Sequence, residues 1–148
     1  MKVFRKDGLL LVETDDSRYF DEMQLPAADF SGKVMEGANF SDCNLQEALF
    51  DRADLYWANF YRADCRGASF KEASLRGANL DEVNFTGADF TGAKLGRDNL
   101  NGSTSLAGSD FSGAILNGID FTGARYNAST KFPAGFDPQA AGMIREGE

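Results

Sequence analysis

Tyr56, Trp57, Tyr61 and Arg62 fall within one short stretch, "LYWANFYR". Aromatic and arginine side chains are enriched among residues that dominate protein interfaces, so this cluster is the candidate partner contact. A packing role, in which Trp57 covers the body of the chain, is the competing reading. Bond-making chemistry lacks its usual agents. The 148 residues include no histidine, which removes the commonest general base and metal ligand. Carboxylate neighbours such as Asp81 and Glu82 find no nucleophile, base or metal partner in the pattern, so neither an enzyme nor a cofactor or metal site is expected. With 23 acidic against 15 basic residues the net charge is -8, which opposes direct nucleic-acid binding through phosphate neutralisation and leaves a basic partner open. Cys43 and Cys65 fit buried thiols in a reducing compartment. The longest obvious apolar run, "LLLV" from Leu9, is too short to span a membrane. The N-terminus also lacks the pattern of a signal peptide, so a cytoplasmic location is expected.

The elements that position these residues follow from a period of five. From Ala28 the chain reads ADFSG KVMEG ANFSD CNLQE ALFDR ADLYW ANFYR, and so on to Ala128. All twenty central positions are apolar, nine of them Phe and eight Leu, the others being Met35, Cys65 and Tyr126. Five steps of a helix scatter these residues around the cylinder, and five steps of a strand flip the face each time. The backbone must therefore turn a corner once per pentad. Such a unit cannot bury its own apolar residue and needs neighbours stacked on it, the logic of a solenoid.

The number of sides per coil can be read from like residues. Every fourth centre gives Phe30, Phe50, Phe70, Phe90 and Phe111, and the next column is Met35, Leu55, Leu75, Leu95 and Leu116. A twenty-residue, four-sided coil is predicted, with the Phe column as core. The register slips once, by a six-residue step between Leu100 and Leu106. Because both columns continue across it, the extra residue near Ser103 is expected in a local bulge. Asn, Asp or Ser usually precedes the centre, where a short side chain can bond the neighbouring backbone. Gly ends eleven pentads, where a positive φ suits it.

This A-(D/N)-(L/F)-x-x run resembles the pentapeptide-repeat family from Ala28 to Ala128. The resemblance implies an all-β fold, a right-handed quadrilateral parallel β-helix of about five coils with the central Leu or Phe inside. It also implies a range of roles, because the family includes gyrase-binding proteins, some thought to mimic DNA, and members without an assigned role. Two functions follow as expectations. One is a monomeric, non-enzymatic, rigid surface for an unknown protein partner. The other is a DNA-mimicking regulator or protector of DNA gyrase or another type II topoisomerase.

Both ends of a solenoid need closing. Residues 1–27 are expected to form an N-terminal cap, with a hairpin around Asp7 and Gly8 and a short helix from Asp15 or Asp16 to the stop at Pro26. Residues 28–130 form the β-helix, and residues 131–148 a C-terminal cap in which Phe132 and Phe136 plug the last coil before a frayed tail. On the four-sided layout the Phe side carries a net -3, with Asp110 among its charges. The third side carries a net -4 from Asp42, Arg62, Asp81, Glu82, Asp98 and Asp120. Asp98 replaces the usual inward Ala and is expected to cap backbone groups freed by the bulge, a structural rather than catalytic role.

Overall fold

The structure, a computed structural model, describes residues 1–100 and 102–147. Most pentads are two-part devices. The carbonyl of a central residue accepts from the N–H three residues on, as in Ala53 N to Phe50 O at 3.0 Å, and the residue between has positive φ, 57° at Arg52. That combination marks a type II turn, for which Gly is the natural third residue. Glu72 and Glu82 take the same conformation at φ 58° without being Gly. Each such residue costs about 1 kcal/mol, which the surrounding ladder must outweigh. The ladder is there: Arg52 N donates to Lys71 O of the next coil at 2.8 Å.

Coils meet through isolated parallel bridges twenty residues apart, Asp29 to Leu49 to Ser69 to Asp89 on the first side. The second side runs Val34, Asp54, Ser74, Lys94; the third Tyr19, Asn39, Asn59, Asn79; the fourth Gln24, Asn44, Asp64, Asn84. Four pentads therefore close one coil. Most central residues, and most of the small residues two places before them, are buried. Phe30, Phe50, Phe70 and Phe90 stack with centroids 5.0, 5.0 and 4.9 Å apart and rings within 9° of parallel. From the opposite side Phe20, Phe40 and Phe60 form a second ladder, spaced 5.2 and 5.0 Å. The ladders meet edge to face, as at Phe40 and Phe50, 5.5 Å apart at 84°. Coil spacing near 4.8 Å favours parallel stacking along the axis, and the ring quadrupole favours edges across it.

Four sequence expectations need correction. The fifth member of the Phe column is misplaced: Asp110 bridges Asn84, so Phe111 lies over Phe85, 4.9 Å away and 26° from parallel, rather than over Phe90. The step across the slip is twenty-six residues, confirmed by Leu80 N to Ser105 O and Phe90 N to Ile115 O, each 2.8 Å. Leu116 follows Phe90 on the first side, and Phe121 follows Leu95 on the second. The single-residue bulge is instead an excursion: Asp98, Asn99, Leu100 and Gly102 lie off the coil path, and Leu100 is 77% exposed.

The short helix does not form either. Tyr19 bridges Asn39 and Gln24 bridges Asn44, with Phe20 and Leu25 already in the core. Five-residue spacing overrides the helical start signal, because stacking on the coil above buries both centres. β1 (Lys2–Arg5) pairs antiparallel with β2 (Leu10–Glu13) and with β3 (Ala28–Asp29), giving the order β2-β1-β3 beneath the coils. At the other end β4 (Arg125–Tyr126) pairs in parallel with β5 (Ile144–Arg145), so this part of the tail is tied down rather than frayed. Phe132 stacks on Phe111 at 6.0 Å, and Phe136 on Phe132 at 5.0 Å. Among the described residues no helix is long and apolar enough to cross a membrane.

Candidate functional site

The excursion leaves the second side after Arg97 and returns at Thr104. Its two ends meet, since Asp98 N donates to Gly102 O at 2.8 Å. Thr104 stands where most pentads have Ala, is fully buried, and its hydroxyl lies within hydrogen-bond reach of the Gly96 and Leu75 carbonyls, at 3.1 and 3.2 Å. The same oxygen accepts from Gly77 N at 3.0 Å. Asp98 organises the interior of the loop, its carboxylate accepting from Leu100 N at 2.8 Å and Gly102 N at 2.5 Å. Capping by Asp98 is therefore seen, applied to a whole loop rather than a bulge.

Trp57 and Tyr56 hold this loop against the coil. Trp57 Nε1 donates to Asp98 Oδ2 at 2.6 Å, and the Tyr56 hydroxyl accepts from Asn99 N at 3.0 Å. The two rings pack edge to face, 5.0 Å apart. Trp57 can lie flat here because Gly77, one coil on, has no side chain: a Cβ there would sit 2.3 Å from Trp57 Cδ1. Arg97 lies over Gly123 in the same way, 2.3 Å from where a Cβ would be. The corner of the second side thus alternates large and absent side chains along the axis. The Trp57 indole N–H, and after it the N–H groups of Gly102 and Leu100, hold the Asp98 carboxyl below the ordinary carboxylate range against the opposing effect of burial.

Both readings of Trp57 have a structural counterpart. It packs, through Asp98 and Gly77, and it is also 44% exposed. Tyr61 and Arg62 lie past the corner at Ala58, on the third side, so the four candidates divide between two faces. Arg62 Nε is 3.8 Å from Asp42 Oδ1. Glu82 raises the Tyr61 hydroxyl above its ordinary range. A depression of about 310 Å³ adjoins Tyr61, lined also by Asp81, Glu82, Asn127 and Ser129. A separate one, about 360 Å³, lies between Tyr56, Trp57 and the loop.

The charge map changes with the register. Asp110 moves to the fourth side and Asp120 to the second, where it lies 3.9 Å from Arg76. The third side keeps Asp42, Arg62, Asp81 and Glu82, with Asp21 and Glu22 below and Arg125 above. Cys43 and Cys65 are free and buried; burial pushes the Cys43 thiol up to about 11 and raises the Cys65 thiol well above its ordinary range. Sequence reasoning missed Gly77, Thr104 and Leu100 as parts of one assembly. Available signals were Asp98 and Thr104 in successive inward positions normally held by Ala, flanking the one irregular step.

A family model described as Pentapeptide repeats, in eight copies, matches residues 24–55, 58–97 and 104–125. Within that span it passes over residues 56–57 and 98–103, which include the pairs Trp57–Asp98 and Tyr56–Asn99 that meet across the loop. No curated protein matches the chain. Among solved structures, it is similar to a pentapeptide repeat protein of the Arabidopsis thaliana thylakoid lumen, at 30% identity over 73% of this chain and 68% of that one, with a TM-score of 0.50. It also shares the fold of QnrB1, a plasmid-mediated fluoroquinolone resistance protein, at 20% identity over 88% of each chain and a TM-score of 0.52. Repeat, fold and family match agree, and the chain belongs to the pentapeptide-repeat family.

Proposed function

We infer that the protein is a non-enzymatic display scaffold: a right-handed, four-sided rod that presents preorganised outward residues to a protein partner in a reducing, cytoplasmic setting. The supporting observation is the pinned excursion. A regular coil would run directly from Arg97 to Thr104, yet the chain spends six residues on a loop and holds it with Trp57, Tyr56 and Asp98. A surface fixed in this way loses little conformational entropy on binding. Immobilised protein exposed to a native lysate is expected to retain a partner that a variant lacking residues 98–103 loses. No specific retention by the intact protein contradicts this reading.

A DNA-mimicking regulator or protector of DNA gyrase is the second reading. Its support is the net charge of -8, which steers an acidic rod toward a basic channel. Against it, Arg62 and Arg125 interrupt the acidic residues of the third side, and Asp110 and Asp120 stand on other faces. A supercoiling assay separates the two: unchanged gyrase activity and drug sensitivity at micromolar protein removes the second reading.

A further inference from the structure

The depression beside the pinned loop has a specific chemistry. Its lining is Glu36, Asp54, Tyr56, Trp57, Asn99 and Leu100, enclosing about 360 Å³. Two walls are aromatic, a third is an aliphatic side chain left 77% exposed, and the only charged lining groups are two carboxylates. Among the described residues neither carboxylate pairs with a cation. Asp54 Oδ1 accepts from Tyr56 N at 3.1 Å, which fixes the carboxylate while leaving its second oxygen available. Lys33 and Arg76, on the flanking coils, line no part of it, and the Arg76 guanidinium is directed to Asp120 at 3.9 Å. Val34, bridged to Asp54 and 74% exposed, extends the apolar surface past the acidic rim.

Aromatic faces attract cations through their quadrupole, and a carboxylate accepts paired N–H groups from a planar donor. A guanidinium satisfies both demands, and the apolar stem that carries it suits the aromatic and Leu100 walls. We propose that this depression receives an arginine side chain from an extended partner segment, with an adjacent apolar residue covering Leu100 and Val34. The proposal rests on the display reading and gives that partner a chemistry: a basic segment in which arginine alternates with apolar residues. Charge complementarity selects this occupant, since an acidic or purely apolar segment leaves Glu36 and Asp54 desolvated and unpaired.

Trp57 is the single tryptophan, so its emission reports on the site directly. The full chain would be titrated with a blocked peptide of alternating arginine and leucine, and with the same peptide carrying citrulline, a neutral isostere. Saturable binding by emission and by calorimetry is expected for the first, and at least about tenfold weaker binding for the second. The variant Glu36→Gln with Asp54→Asn keeps the acceptor for Tyr56 N and is expected to show the same loss. Equal affinity for both peptides, unchanged affinity in the double variant, or no binding by either method overturns the proposal. Were that variant to retain the lysate partner held by the intact protein, the arginine site would fall and the display reading would stand. Absence of any partner would fail the display reading itself.

Discussion

The first and second sides of the coil are built from the same pentad and do different work. On the first, Phe30, Phe50, Phe70 and Phe90 stack without interruption, and the outward residues tie one coil to the next, Asp51 Oδ1 accepting from Ser69 Oγ and Lys71 N, and Lys71 Nζ lying 3.7 Å from Asp89. On the second, Trp57, Gly77, Arg97 and Gly123 alternate along the corner, and a loop is drawn down onto Tyr56 and Trp57. The contrast separates two uses of one repeat. Stability resides in the inward positions, common to all four sides, whereas individuality resides in the last position of the pentad, where choosing Gly or a large residue decides what the neighbouring coil may carry.

The sharpest way to break this contrast is at the core. Phe70 packs against Phe50, Phe60, Phe85 and Phe90. Phe70→Ala is expected to cost about 3–5 kcal/mol in denaturant unfolding, and a loss under about 1 kcal/mol would show that the ladder is not the source of stability. Gly77→Ala comes next. Its Cβ meets Trp57 at 2.3 Å and its φ is 71°, so about 2 kcal/mol is expected together with a shifted Trp57 emission. Gly87, with φ 70° and open space around it, isolates the backbone part: Gly87→Ala should cost about 1 kcal/mol and leave Trp57 unmoved. If the two glycine variants behave alike, the Trp57 seat is not specific.

At the small end, Leu100→Ala should change stability by less than about 0.5 kcal/mol, the value for an exposed loop rather than a core centre. Acid offers a gentler probe of the same loop. Because the folded state lowers the Asp98 pKa, its contribution is complete above the ordinary carboxylate range and is lost as pH falls through the lowered value. Trp57 emission should therefore change on acidification below about pH 4, and Asp98→Asn should remove that step. A step that survives in Asp98→Asn would assign it to another group.

Much of this architecture was legible in the amino-acid order. The period of five, the four-sided coil and the inward Phe and Leu all follow from spacing, because each pentad obeys the same local rules. What escaped was the choice between two equivalent stackings. Phe111 can sit over Phe85 or Phe90, both Phe, and like-on-like matching cannot distinguish a bulged residue from a skipped pentad. The N-terminal pentads were hidden because Arg18 and Met23 stand where Ala usually marks the inward corner. At the candidate site the aromatic pair was visible, but its partner, Asp98, lies 41 residues away and is brought near only by the coil stacking.

Removing residues 98–103 tests most directly whether Leu100 lies outside the coil. The join would read AKLGR-TSLAG, two consecutive pentads in register. The expected product is a folded protein whose unfolding midpoint stays close to that of the intact chain, with Trp57 more exposed. Loss of cooperative folding, together with rescue of a regular, more stable coil by deleting Ser103 alone, would place Leu100 in the core and contradict it.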